Sequence, residues 1–238
     1  HGGDKELRLT LGDIRAMAYL GKYYAHKIRG ATELALFRKT AEPQKQEAAV
    51  EELTKAAQYW RLYASTALGQ YENPLWGNRV GYCDWRQLFN EVLKDVKIAG
   101  GQARLASMPP TPGGTILEAE AAASGGAQNA ASAGGHTGEG YLDFSTANDA
   151  GWVEWTFDAP KAGAYIIEVR YVREQGRERS RLTVNAKDAG DIILWTTGGE
   201  STWAWDRKAV TLSEGRNTIR LAPKGPLLID HLNVLSGF

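Results

Sequence analysis

The apolar residues of this chain change period once, and that change limits what it can fold into. Up to about residue 99 they recur at alternating steps of three and four; from about residue 116 they alternate with polar residues. The first spacing lines one face of a helix, the second one face of a strand. Between them, residues 101–115 combine Pro, Gly and Ser without apolar periodicity, which reads as a linker stiffened by its prolines. Two domains are expected: an all-α three-helix bundle over residues 1–100 and an all-β antiparallel sandwich, a jelly roll, over residues 116–238.

In the helical part, Asp13 reads as the N-cap of a helix running to about residue 39, with Ile14, Met17, Gly21, Tyr24, Ile28, Ala31 and Ala35 on its apolar face. A second helix starts at Pro43, carries Ala49, Leu53, Ala56, Trp60, Tyr63 and Ala67, and ends near Gly69. A third starts at Asp84, with Gln87 completing a capping-box pattern, and stops at Gly100-Gly101. Tyr23, Tyr24, Trp60, Tyr63 and Trp85 are expected in the core, while Arg29, Glu33, Arg38 and Lys39 read as a solvated face. The segment 70–83, with Tyr71, Trp76 and Tyr82, is too aromatic for a spacer; a contact surface for a neighbouring domain is one reading of it. The helices contain no nucleophile with a neighbouring base, phosphate loop or metal spacing.

After the linker, strand segments arrive at short intervals, with Val153, Trp155 and Phe157 on one face and Tyr165, Ile167, Val169 and Tyr171 on another. Turn signals such as 158–163, 185–190 and 213–217 separate them. Charge narrows the partners: 28 basic and 28 acidic residues give no net charge, so neither nucleic acid nor a membrane is indicated as partner. Apolar runs are too short for a transmembrane span. Cys83 stands alone, which excludes an internal disulfide, and the histidines lack zinc-ligand spacing. His1-Gly2-Gly3 is neither a signal peptide nor a natural start, so the chain reads as a processed or excised fragment.

Acid placement gives the sharpest chemical signal. In Ile116-Leu117-Glu118-Ala119-Glu120, strand alternation sets Glu118 and Glu120 on one face, where two carboxylates repel unless a cation lies between them. A hard cation such as calcium takes roughly six to eight oxygens, and Asp230, near the C-terminus, would add a third carboxylate if the first and last strands lie together. The other open reading is an edge strand with both acids facing solvent.

The segments Glu118-Ala-Glu120, Gly138 to Phe144, Gly151-Trp-Val-Glu-Trp155, Val169-Arg-Tyr171, Leu182-Thr-Val-Asn185, Leu212 to Leu221 and Ile229-Asp-His-Leu232, in this order, resemble carbohydrate-binding modules of families 6 and 35. The resemblance covers about residues 116–236 and implies a jelly-roll sandwich appended to a polysaccharide-degrading enzyme, secreted or periplasmic. It places Glu118, Glu120 and Asp230 at a structural calcium. It also puts the sugar on loops at one end of the sandwich, with an aromatic ring at Trp203, expected to be exposed, and Trp205 and Trp195 close by. Polar candidates are Asn148, Asp149, Arg173, Glu174, Arg177 and Glu200, and Trp152 or Trp155 is expected to be buried. Where many members carry Asn before the final Ile-Asp, this chain has Leu228, which leaves that sugar contact in question. The helical part resembles segments that follow the catalytic domain of large α-glucuronidase-type glycoside hydrolases.

The expected function is non-catalytic binding of a plant or microbial polysaccharide beside a glycoside hydrolase domain in the same chain. Two rivals stand: scaffolding that packs on a catalytic domain without binding sugar, and a hydrolase in its own right, for which no carboxyl pair is marked out by spacing.

Overall fold

The first helix is long because nothing in its sequence stops it before Thr40. The computed structural model describes residues 3–68, 70–71, 73–77, 81–147 and 150–236. Helix α1 spans Gly3–Thr40 and α2 spans Pro43–Leu68; the turn between them uses Ala41 at φ 57°. Asp13 lies inside α1 rather than capping it, and its carboxylate accepts hydrogen bonds from Gln70 Nε2 (2.7 Å) and Tyr71 Oη (2.6 Å). A hairpin follows, β1 Leu75–Gly77 with β2 Gly81–Cys83, then α3 Trp85–Ile98. Asp84 caps α3 by accepting from the amides of Arg86 and Gln87. Removing that side chain leaves two amides without a partner, which costs about 1 kcal/mol.

The core of this unit differs from the expected one along α1. Ala16, Tyr23 and Gly30 turn inward, while Ile14, Met17, Tyr24 and Ile28 face solvent. A Cβ at Gly30 would sit 2.6 Å from Leu53 Cγ, so α2 packs closely on α1 where α1 has no side chain. Tyr23, Trp60, Trp85 and Phe89 form the aromatic core, the last three on the faces that their spacing predicts and Tyr23 on the face that it does not, with Trp60 Nε1 donating to the Trp85 carbonyl (3.0 Å).

The second unit begins at Ser107. Its strands are β3 Thr115–Glu118, β4 Ala123–Gly125, β5 Gln128–Ala130, β6 Tyr141–Asp143, β7 Trp152–Ala159, β8 Gly163–Val172, β9 Arg177–Val184, β10 Lys187–Trp195, β11 Ala204–Leu212, β12 Gly215–Ala222 and β13 Leu228–Ser236. They form two antiparallel sheets, one in the order β10-β9-β12-β7-β4 and the other β11-β8-β13-β6-β5, with β3 also on β13. Trp155, Ile167, Val169, Leu182, Ile219 and Leu232 fill the space between them. Period-2 alternation therefore did what it predicts in the strands that carry this core.

Residues 107–114, which read as linker, lie against the outer face of the β8–β13 sheet. Met108 is buried and its amide donates to the Trp203 carbonyl (2.8 Å). Thr111 bonds the buried Glu168 through both its amide (3.3 Å) and its hydroxyl (2.6 Å), and Arg207 Nε donates to the same carboxylate. The segment is held because charged side chains project from a strand face that would otherwise be solvated.

Candidate functional site

Strand β13 brings the candidate metal ligands together. One of its edges pairs with β8 and the other is shared, Leu228 and Ile229 with β6 and His231 to Val234 with β3. First and last strands of the sandwich are thus neighbours, and Glu118 stands in register opposite His231. Against β8 the pairing skips from Ile229 to His231, so Asp230 is the extra residue of a bulge. A bulge breaks alternation locally, and here both Asp230 and His231 are buried.

Glu118, Asp230 and His231 offer ligand atoms within 4.8 Å of one another. Thr137, at the end of the Gly-rich loop after β5, sits among them: its Oγ1 lies 2.8 Å from Glu118 Oε2, 3.2 Å from Asp230 Oδ2 and 2.7 Å from His231 Nδ1. The hydroxyl has one proton to give, so one consistent arrangement has Thr137 donating to Glu118 while His231 donates from Nδ1. Burial pushes the Glu118 carboxyl up from its ordinary value. Burial also pushes on Asp230, but hydrogen bonds from His231 and Arg170 outweigh it and hold that carboxyl down.

Glu120 lies beyond β3 and accepts from the amides of Glu139 (2.8 Å) and Gly140 (3.2 Å) through Oε1. Its Oε2 is buried without a hydrogen-bond partner among the described residues. Gly138, at φ 58°, is where the two glutamates converge: a Cβ would lie 2.3 Å from Glu120 Oε1 and 2.9 Å from Glu118 Cδ. An orphaned buried carboxylate oxygen beside a second carboxyl with a raised pKa is an arrangement that a hard cation would complete.

Arg170 is the residue that sequence reasoning missed. Its Nη1 donates to Asp230, Nη2 to the Gly135 carbonyl (3.1 Å) and Nε to the Met108 carbonyl (3.1 Å). The signal was present in Glu168 and Arg170, opposite charges two residues apart on a strand otherwise apolar. Both face the side covered by residues 107–114 and the loop 131–137.

The sugar candidates do not form one group. Trp203 is fully buried, not exposed: it packs with Tyr141 and Val172, donates from Nε1 to the Gly134 carbonyl (2.9 Å) and lies 5.4 Å from the Arg170 guanidinium. Its face is taken up by the long Ala/Gly/Ser loop, which the ring holds down. Trp205 is half-buried, with Nε1 on the Pro109 carbonyl and Arg207 over its ring at 4.2 Å.

Trp195 is buried at the end of β10 under the Arg177 guanidinium (5.6 Å), with its indole N–H lacking a partner among the described residues. Around it the loops 173–177 and 196–200 are tied by Thr197 N to the Arg173 carbonyl (2.7 Å) and Thr196 N to the Gly176 carbonyl (2.9 Å). Arg173 donates to the Pro226 carbonyl (2.9 Å) and Glu178, while Glu174, Arg177 and Glu200 are exposed. Asn148 and Asp149 lie outside the described residues. Trp155 is buried as expected and Trp152 is half-buried beneath Arg220. Leu228, where the resemblance implies an Asn that contacts sugar, packs on the Tyr141–Trp203 cluster.

No protein-family profile matches the chain. A cycloisomaltooligosaccharide glucanotransferase of Niallia circulans is 30% identical over 105 residues, 42% of this chain and 11% of that enzyme. An exo-beta-D-glucosaminidase of Amycolatopsis orientalis is 33% identical over 90 residues, 36% of this chain and 8% of that enzyme. The chain thus spans about a tenth of the length of these curated relatives. Among solved structures, a family 35 carbohydrate-binding module from Clostridium thermocellum is 29% identical, with 52% of this chain and 98% of that chain covered and a TM-score of 0.48. No helix among the described residues is long and apolar enough to cross a membrane.

Proposed function

We propose that the chain is a non-catalytic, carbohydrate-binding region of a larger carbohydrate-active enzyme, with a three-helix bundle followed by a calcium-stabilised jelly roll. The observation that carries this reading is the pair of curated relatives. A glucanotransferase and a glucosaminidase differ in reaction and in bond cleaved, yet each is similar to this chain over a segment that makes up about a tenth of its length. Similarity confined to about a tenth of enzymes with different chemistries is better suited to a part that holds the sugar than to one that transforms it. Binding by one module raises the effective concentration of an attached catalytic domain on its polymer.

In this reading the sugar lies on the loops 173–177 and 196–200, where Arg173, Arg177 and Glu200 would hydrogen-bond vicinal hydroxyls beside the Trp195 indole. Calcium would be held by Glu118, Glu120 and Asp230, and would supply charge compensation between the first and last strands. The scaffolding alternative draws support from Leu228, whose side chain packs inward and offers no amide to a sugar.

Affinity electrophoresis against dextran, xylans, mannans and pectins tests the reading, with Arg177→Ala and Glu200→Ala beside the unmodified chain. Retardation by one polymer, lost in the variants at unchanged melting temperature, supports it. Migration unaffected by every polymer would leave the scaffolding reading.

A further inference from the structure

Helix α1 is apolar on two sides, and only one of them is covered. Ala16, Leu20, Tyr23, Gly30 and Leu34 turn toward the interior of the helical unit. On the other side Leu7, Leu11, Ile14, Met17, Tyr24 and Ile28 are each between 50% and 65% exposed. Single exposed apolar residues need no explanation, but six along one helix form a continuous strip about 32 Å long, at the helical rise per residue.

The spacing of the strip identifies the shape that fits it. Leu7, Ile14, Gly21 and Ile28 recur every seven residues, with Met17 and Tyr24 along one side and Leu11, Ala18 and Ala25 along the other. A seven-residue repeat held over three heptads is the pattern of a helix with another helix lying along it. Gly21, midway, has open space where a Cβ would be, so an approaching backbone can come close there.

Charge then restricts the partner. Arg15, Lys22 and Arg29, all exposed, repeat every seven residues along the Leu11–Ala25 border, with Lys22 Nζ also 5.1 Å from the Tyr59 ring. Pairing two copies antiparallel would set this cationic row against itself, and pairing them parallel would set it against the Met17–Tyr24 edge, which has no carboxylate at the matching positions. Like charges across the interface oppose the first arrangement, and the second leaves the row without counter-charge.

We propose that this face of α1 is a docking surface for a helix of a protein partner, with an apolar seam of the same spacing and carboxylates along the edge that meets Arg15, Lys22 and Arg29. The proposal does not depend on sugar binding.

Fluorescence anisotropy of two labelled four-heptad peptides tests it against the purified chain. Both carry Leu at the seam; one has Glu and the other Lys at the bordering positions. The Glu peptide should bind, and the Lys peptide should bind at least about tenfold more weakly, the equivalent of roughly 1.4 kcal/mol. Ile14→Lys with Ile28→Lys should abolish binding. Arg15→Glu with Arg29→Glu, at exposed positions, should reverse the preference, which a merely sticky surface would not do. No binding by either peptide, equal binding by both, or a chain that dimerises in sedimentation equilibrium and becomes monomeric in the Ile14/Ile28 variant would overturn the proposal.

Discussion

Arg170 meets Asp230 where β13 carries one residue more than β8 opposite it. The bulge leaves the Asp230 carboxylate buried, with Arg170 and the Thr137 amide donating to it. Replacing one partner of such a pair leaves the other charge unpaired in the interior. Arg170→Met should therefore destabilise the sandwich by roughly 3–5 kcal/mol in urea unfolding. Adding Asp230→Asn should recover part of that loss, because the pair is coupled. Additive losses in the double variant would mean that the two side chains act separately.

Glu118 gives the sign of the metal effect. Its folded pKa is raised, so the stability it contributes is present below the unfolded value and is lost as pH rises through the folded one. Burial opposes ionisation of this carboxyl in the folded chain, and a bound cation would offset that. Calcium should raise the melting temperature of the unmodified chain and a chelator should reverse it. Glu118→Gln should melt no lower than the unmodified chain in chelator but gain little from calcium. A melt indifferent to calcium in the unmodified chain would dispose of the ion.

What the sequence made legible, and what it hid, follow from the same cause. Period and capping chemistry are local, so the α3 cap at Asp84 and the inward face of Val153 and Trp155 were readable. Which of two apolar faces is covered is not local. In α1 the residues Ile14, Met17, Tyr24 and Ile28 keep helical spacing as faithfully as Ala16, Tyr23 and Gly30 do, and only packing on α2 distinguishes them. The same limit hid Trp203. Its neighbours in sequence suggest a loop ring, while the residues that bury it, Gly134 and Tyr141, lie some sixty to seventy positions earlier. Glu118 and Asp230 were found as a pair because acids at the two ends of a β domain meet only if those ends do. Arg170 was not joined to them, because the bulge that brings Asp230 to it leaves no mark in alternation, although Glu168 and Arg170 interrupt an apolar strand.

Trp203 and Trp205 separate burial from proximity in sequence. Trp203→Ala would empty a fully buried site that holds the loop 131–136, and should cost about 3–5 kcal/mol. Trp205, half-buried beneath Arg207, should cost less than half as much on the same substitution. Equal losses in urea unfolding would contradict the burial assigned to Trp203.

Glu168 fixes residues 107–114 to the sheet, and its neutral analogue tests that role. The carboxylate accepts from the Thr111 amide and hydroxyl, from Arg207 and from Asn233 Nδ2 (3.0 Å), so all of its partners are donors. Glu168→Gln keeps the shape but turns one acceptor into a donor, which sets N–H against N–H whichever way the amide is placed, and leaves Arg207 without its counter-charge. The loss should be roughly 2–4 kcal/mol. Because the hydrogen bonds that the substitution breaks are those tying down the segment itself, amide exchange should quicken at Thr111 and Met108 before it does in β12, on the opposite sheet. Uniform quickening across both sheets would mean that Glu168 supports the sandwich as a whole rather than the segment that crosses it.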